Sequence, residues 1–162
     1  MQAVVIAGAK KSGKTALLAL VAESLERQGK RVAVVKYSSH PLEKGNTDAF
    51  WLMRENRTIV NVSSGETAIL WSRKLDFEVM VSHLDADVLL LEGGDAPVSI
   101  PRIICLREDE EDGAVLEECS ALTVLATVGG NASALPVSHF IEADLVTAET
   151  LAGLIMAKGA TL

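Results

Sequence analysis

Two glycines, a lysine and a threonine near the start of the chain have a spacing that suits phosphate binding. Residues 8–15 read GAKKSGKT and fit the pattern G-x-x-x-x-G-K-[ST]. Gly8 and Gly13 can adopt positive φ angles, which lets backbone amides approach phosphate oxygens. Lys14 is expected to reach the β- and γ-phosphates, and the Thr15 hydroxyl is expected to ligate Mg²⁺. The segment therefore predicts a site for a magnesium nucleotide.

The sequence on either side of this loop supports the same prediction. An apolar run at 3–7 precedes the loop, and a helix-forming run at 16–25 follows it. A strand, a glycine-containing loop and a helix N-terminus in that order form an anion site. The predicted nucleotide-binding residues are Gly8, Lys10, Lys11, Ser12, Gly13, Lys14, Thr15 and Ala16.

Two acidic residues are candidates for chemistry beside the loop. The apolar run within 87–94 ends at Glu92, and ligands of open α/β sheets bind at the carboxyl ends of such strands. Asp48 is a candidate because protein-bound Mg²⁺ is usually held by one or two carboxylates together with phosphates and waters. The predicted catalytic residues are Lys14, Asp48 and Glu92, and the predicted metal ligands are Thr15, Asp48 and Glu92. An ordinary helix-start or strand-end acid remains the alternative for each carboxylate.

The polar segment at 37–47 contains proline and glycine and is predicted to be a functional loop. Lys36 precedes this segment and His40 lies within it. Both are candidates for a substrate or partner loop. Lys36 would add positive charge for an anionic ligand, with a solvated side chain as the alternative. His40 would bind substrate or a metal, with neither role as the alternative, because no second ligand lies at a suitable spacing.

The apolar patterning predicts an α/β protein with three layers, in which helices cover both faces of a mostly parallel sheet. A hairpin of strands at 58–63 and 67–71 is predicted at one edge of the sheet. The whole chain, 1–162, is expected to form a single nucleotide-binding domain. The other predicted elements are helices at about 13–28, 48–55, 75–84 and 145–157, and strands at 3–7, 32–35, 87–92, 102–106 and 121–128.

Composition excludes several classes of function. A formal net charge of −7 disfavours nucleic-acid binding, and no apolar run approaches the roughly 18 residues that a membrane span needs. Cys105 and Cys119 are too few for a disulfide framework or zinc site, and Cys105 is predicted to lie in the core. The acidic run at 108–112 is predicted to be a solvated loop. A cytoplasmic location is expected.

Several motifs in order along the chain resemble the molybdopterin-guanine dinucleotide biosynthesis protein B (MobB) family of P-loop proteins. The phosphate loop of that family typically reads G-x-K-x-S-G-K-T, its second strand is followed by a lysine and histidines, and a later strand ends in E-G. The corresponding segments here are GAKKSGKT at 8–15, KYSSH at 36–40, GNTD at 45–48, LLLEG at 89–93 and PRI at 101–103.

Three departures from the family pattern indicate a divergent member. Tyr37 stands where the family often has a histidine, so that His40 alone remains of that cluster. The segments at 55–57 and 94–95 also differ from the usual family sequence. These changes leave the phosphate loop at 8–15 intact.

The resemblance implies a GTP-binding accessory protein of molybdenum cofactor biosynthesis that requires Mg²⁺ and hydrolyses GTP weakly. It also implies a homodimer, and it implies the molybdenum cofactor guanylyltransferase, molybdopterin or both as partners. Slow hydrolysis agrees with a loop that has neither an arginine finger nor a water-activating glutamine. The preference for GTP comes from the resemblance alone, because the chain has no N-K-x-D segment that would read guanine.

Two other classes of function stay open. The first is an ATP-dependent small-molecule kinase or ligase similar to dethiobiotin synthetase, whose E-G-G strand end resembles residues 92–94. This alternative predicts substantial turnover and an enclosed acceptor pocket. The second is an interaction module with a relic loop, which predicts no nucleotide affinity.

Overall fold

The structure is a computed structural model, and it describes residues 1–38, 57–93, 96–107, 110–130 and 136–162. The chain divides into two compact units. The first contains Met1–Ser38 and Asp85–Leu162, and the second contains Ser39–Leu84. The single domain predicted from the sequence stays a prediction, and the predicted helix at 48–55 lies outside the described residues.

A mostly parallel sheet forms the centre of the first unit. In the described part of the chain it has seven strands, six of them in the order β2-β5-β1-β6-β7-β8. The short β9 runs antiparallel to the start of β1. The strands are β1 (Gln2–Gly8), β2 (Val32–Lys36), β5 (Val88–Glu92), β6 (Arg102–Cys105), β7 (Val124–Val128), β8 (Ser138–Phe140) and β9 (Ala160–Thr161).

Helices cover both faces of this sheet. One core cluster joins Leu17 and Leu151, from helices α1 (Lys14–Arg27) and α4 (Leu145–Lys158), to Ile103 of β6. A second cluster joins Ile104 to Cys119 at the end of helix α3 (Glu110–Cys119). Since successive strand residues point to opposite faces, the two clusters lie on opposite sides of β6. The predicted three-layer α/β fold is therefore confirmed.

The second unit contains the predicted hairpin, formed by β3 (Thr58–Val62) and β4 (Thr67–Trp71). Its pairing is antiparallel, with Thr58 opposite Trp71. The hairpin forms a two-stranded sheet of its own, so its predicted place at the edge of the main sheet is wrong. The alternation of side chains specifies that the two strands pair with each other, and it does not specify a third strand beside them. Helix α2 (Phe77–Ser82) follows, preceded by Asp76.

Two further predictions need correction. The acidic run was expected to be a loop, and helix α3 begins within it at Glu110. The strand expected at 121–128 begins only at Val124. Cys105 is 2% exposed and unpaired, which confirms its predicted place in the core. None of the described helices is both long and apolar enough to cross a membrane.

Candidate nucleotide-binding site

The loop between β1 and α1 turns through three residues with positive φ. Gly8, Lys11 and Gly13 have φ angles of 144°, 66° and 84°. A Cβ atom on Gly8 would lie 2.4 Å from the carbonyl oxygen of Cys105, because β1 and β6 pair at this point. Only glycine fits there, so the first glycine of the motif is required both by backbone conformation and by the neighbouring strand.

The start of α1 presents unpaired backbone donors to the same loop. Gly13 is the N-cap residue, it provides no side-chain cap, and the first turn of α1 contains no acidic residue. The first amides of a helix lack intrahelical acceptors and carry partial positive charge. This end of α1 is therefore suited to an anion.

A pocket of about 440 Å³ lies against this loop. It contains every predicted nucleotide-binding residue except Gly8, and it also contains two of the other candidates, Lys36 and Glu92. Among the described residues, four lysines and one carboxylate line it, in a chain whose net charge is −7. The lining residues are Lys10, Lys11, Ser12, Gly13, Lys14, Thr15, Ala16, Lys36 and Glu92. The remaining candidates, Asp48 and His40, lie outside the described residues.

A hydroxyl, a carboxylate and an ammonium group meet at one side of the pocket. The Thr15 hydroxyl donates to the Glu92 carboxylate, with Oγ1 3.0 Å from Oε1 and 2.9 Å from Oε2. The Nζ of Lys36 lies 3.1 Å from Glu92 Oε1 and donates to Thr15 Oγ1 at 3.3 Å. Glu92 is only 7% exposed, so its charge depends on these two partners for stabilisation.

The parallel sheet brings these three side chains together. Lys36 and Glu92 are register partners at the carboxyl ends of β2 and β5, and β5 also pairs with β1, which leads into the loop. Directly after Glu92, Gly93 has a φ of 116°, and a Cβ atom there would lie 3.0 Å from the Cβ of Tyr37. Glycine at position 93 therefore permits the close approach of the chain after β5 to the chain after β2.

Lys14 bends back over its own loop and donates from Nζ to the carbonyl oxygen of Ala9 at 2.5 Å. Its partner is a neutral carbonyl group, so its positive charge remains available to an anion in the pocket. The Oγ atom of Ser12 is buried and has no hydrogen-bond partner among the residues described. A buried hydroxyl without a partner is uncommon in native structures, and a ligand oxygen would satisfy it.

These groups fit a triphosphate with a magnesium ion. Thr15 and Glu92 supply hard oxygen donors, and the lysines and helix amides supply positive charge for phosphates. In the part of the chain that is described, no group of three His, Cys, Asp or Glu side chains could hold a metal. A site with one or two protein oxygens suits Mg²⁺, which takes its other ligands from phosphates and waters.

Sequence analysis missed an arginine that contacts the loop. Arg107 donates from Nη1 to the carbonyl oxygen of Lys10. It follows β6 at the same edge of the sheet where Gly8 and Glu92 end their strands. Parallel strands place their carboxyl ends at one edge of the sheet, so the residues that follow β6 could have been named as candidates for this site.

Comparison with known proteins identifies the family. The sequence profile described as "Molybdopterin guanine dinucleotide synthesis protein B" matches residues 3–130, which contain the loop, Lys36 and Glu92. The chain belongs to the MobB family. Membership confirms the resemblance found in the sequence and supports a role in molybdenum cofactor biosynthesis. No curated protein sequence matches this chain.

Solved MobB structures have the same fold. A MobB protein homolog from Bacillus stearothermophilus is 20% identical, with a TM-score of 0.70, and the match covers 98% of this chain and 100% of that one. Bacillus subtilis MobB is 19% identical, with a TM-score of 0.69, and the match covers 95% of this chain and 97% of that one. At this level of identity the likeness shows the fold alone.

Proposed function

We propose that this chain is a GTP-binding accessory protein in the biosynthesis of molybdopterin guanine dinucleotide, with weak GTP hydrolysis. The observation that carries the proposal is the pocket against the loop, where Lys14, the start of α1 and the Thr15–Glu92 pair surround one volume. Family membership supplies the biosynthetic context. The chemistry of the pocket by itself supports a nucleoside triphosphate and leaves the base unspecified.

The residues of the pocket have distinct roles in this proposal. Lys14 exchanges its bond to the Ala9 carbonyl for the β- and γ-phosphates, and the amides of α1 bind the remaining phosphate oxygens. Thr15 and Glu92 would hold Mg²⁺ directly or through its waters, and the ion would neutralise phosphate charge. We propose Asp48 as a further metal ligand, and Lys36 and His40 as contacts for the substrate or partner.

The proposed rate of hydrolysis is low for a physical reason. Phosphoryl transfer to water needs a group that orients the attacking water and a cation that stabilises the transition state. Among the described residues that line the pocket, Glu92 is the only carboxylate, and it is bound to Thr15 and Lys36. A carboxylate bound in this way is poorly placed to activate water.

We further propose a homodimer that acts with the molybdenum cofactor guanylyltransferase, with molybdopterin, or with both. The hairpin supports an interaction surface of this kind. Val60, Val62 and Ile69 are 57%, 71% and 45% exposed, so apolar side chains are concentrated on a two-stranded sheet. Exposed apolar patches commonly mark protein interfaces.

Isothermal titration calorimetry with Mg²⁺ and either GTP or ATP tests the proposal. We expect the wild-type chain to prefer GTP and Lys14→Ala to bind it about 10- to 100-fold more weakly, because a charge-assisted phosphate contact is lost. Lys158→Ala is the matched control, because it removes an exposed lysine far from the loop along the sheet. Lys158 is the last residue of α4 and lies next to β9, and β9 pairs with the start of β1, whereas the loop follows the end of β1.

The alternatives give different results in the same experiment. Tight ATP binding with rapid turnover in the presence of an acceptor would replace the proposal with the kinase or ligase function. No binding of either nucleotide would leave the loop as a structural feature. Hydrolysis close to background, measured as phosphate release, is expected for the wild type.

A further inference from the structure

A second pocket of about 350 Å³ lies next to the first. It shares Lys14 with the first pocket, and Gly8 and Gly93 also line it. Cys119 at the end of α3 belongs to both this pocket and the core cluster on that face of the sheet. Its volume falls within the usual range for small-molecule sites, roughly 300–1,000 Å³.

The pocket contains a buried arginine that has no acidic partner among the described residues. Arg102 at the start of β6 is 6% exposed. Its guanidinium donates to the carbonyl oxygens of Ile100 at 2.7 Å, Val98 at 3.4 Å and Ala96 at 3.4 Å. Within the described ranges, no carboxylate lies within ion-pair distance of it. Buried arginines are normally paired with an anion, because an uncompensated charge is costly to bury.

The other walls of the pocket determine what kind of anion would fit. Val98, Val115 and Leu122 provide an apolar surface beside the guanidinium. Glu118 is exposed and lines the same pocket, so it brings a negative charge to the solvent side. An anion with an apolar part would match both the cation and the apolar wall, whereas Glu118 would weaken its binding.

Cys119 is buried and lines the pocket together with Arg102 and Glu118. Burial raises the pKa of its thiol; Arg102 opposes that increase and Glu118 adds to it. Both side chains therefore act electrostatically on an atom in the wall of the pocket.

We infer that this second pocket binds a small organic anion, a phosphate ester or a carboxylate, whose charged group pairs with Arg102. The planar guanidinium matches both oxyanion types in bidentate fashion, and the apolar part of the ligand packs on Val98, Val115 and Leu122. Because Lys14 lines both pockets, the anion lies next to the proposed phosphate site. The inference depends on Arg102 and its pocket and does not require the proposed nucleotide.

Protein-observed NMR on the full chain tests the inference with two simple probes, phenyl phosphate and benzoate. We expect saturable shifts of the amides of Val115, Cys119 and Leu122, with a Kd of about millimolar strength for molecules of this size. Benzyl alcohol, which is neutral, should give no saturable shift. The titration is repeated with Mg²⁺ and GTP present, so that binding at the loop pocket is distinguished from binding at Arg102.

Two variants change the charge of the pocket in opposite directions. Arg102→Met should weaken binding of both probes at least about 10-fold, since the charge-assisted bonds are lost. Glu118→Gln should tighten binding about 2- to 5-fold by removing one exposed like charge, and it alters only a surface side chain. Glu117→Gln is the matched control, because it removes the same charge from an exposed neighbour that does not line the pocket.

The outcome is decisive even if Arg102→Met fails to fold. Equal affinities for wild type, Glu118→Gln and Glu117→Gln would overturn the inference, as would anion-induced shifts confined to the amides of 10–16. Either result would assign Arg102 a structural role only, in which it binds the carbonyl oxygens of Ala96, Val98 and Ile100. If calorimetry shows no nucleotide binding while phenyl phosphate or benzoate still shifts the α3 amides, the second pocket stands and the proposed function fails.

Discussion

The ion pair between Lys36 and Glu92 is expected to stabilise the fold as well as to organise the pocket. Its charged atoms are 3.1 Å apart, and the side chains are 54% and 9% exposed. At an effective dielectric constant of about 20, two unit charges at this separation attract by about 5 kcal/mol. Desolvation of Glu92 and solvent screening around Lys36 reduce the net value to about 1–2 kcal/mol.

A double-mutant cycle measures this value directly. Lys36→Met, Glu92→Gln and the double variant are unfolded in urea in the presence of EDTA, and their free energies of unfolding are compared with the wild type. We expect Lys36→Met to cost about 1–2 kcal/mol alone and less than about 0.5 kcal/mol when residue 92 is glutamine, because no buried charge is then left unpaired.

An exposed pair on α1 serves as the control for this cycle. Arg27 and Glu23 form an i,i+4 ion pair with side chains 57% and 50% exposed. Its coupling free energy should be about 0.3–0.5 kcal/mol, as is usual for solvated helix pairs. If the effects of Lys36→Met and Glu92→Gln add to within about 0.5 kcal/mol, Glu92 is compensated without Lys36 and the reasoning is refuted.

Backbone conformation and helix capping provide two further predictions. Gly8→Ala should abolish nucleotide binding and lower the melting temperature by many degrees, because its Cβ would lie 2.4 Å from the Cys105 carbonyl oxygen. At Gly13 no described residue beyond its chain neighbours lies within 4 Å of an added Cβ, so Gly13→Ala should cost only the strain of a positive φ, about 1–2 kcal/mol. Equal losses in the two variants, measured by differential scanning calorimetry, would contradict the clash. Asp144→Ala should lower the melting temperature by about 2–4 °C at neutral pH, since the carboxylate caps α4 through the amide of Thr147. That bond lowers the pKa of Asp144 below 3.8, so its stabilisation is present above pH 3.8 and is lost as the pH falls through the lower folded-state pKa. A wild-type and variant difference that stays constant down to pH 2 would rule out the charged cap.

The loop and the sheet could be predicted because their signals are local. A positive φ at Gly8 and Gly13 needs glycine, and the buried strands are continuous apolar runs between loops. Glu92 ends one of these runs, and parallel strands end at the same edge of the sheet. Glu92 was therefore expected to lie near the loop that follows β1. The pairing of Thr15 with Glu92 follows from that topology, although the two residues are far apart in the sequence.

Helix α3 could not be predicted because its stability comes from outside its own sequence. Its helix propensity is mixed, because Gly113 within it disfavours a helix whereas its glutamates favour one. Val115 and Leu116 pack with Cys119 against Ile104 and Leu106 of the sheet. Burial of these apolar side chains compensates for the cost of Gly113. That burial depends on a face of the sheet formed by residues elsewhere in the sequence, which no local pattern describes. The place of the hairpin was misjudged because the alternation of side chains specifies only that its two strands pair with each other.

The charged contacts of the first pocket differ in how easily a triphosphate could replace them. Lys14 contacts a neutral carbonyl, and its transfer to a phosphate oxygen would replace a weaker hydrogen bond by a charge-assisted one. Lys36 is bound to a buried carboxylate, and its transfer would leave Glu92 without a cation. A divalent cation held by Thr15 and Glu92 would remove that cost. We therefore expect Mg²⁺ to increase nucleotide affinity mainly through Glu92, so that Glu92→Gln loses most of the dependence on Mg²⁺ while Lys14→Ala retains it.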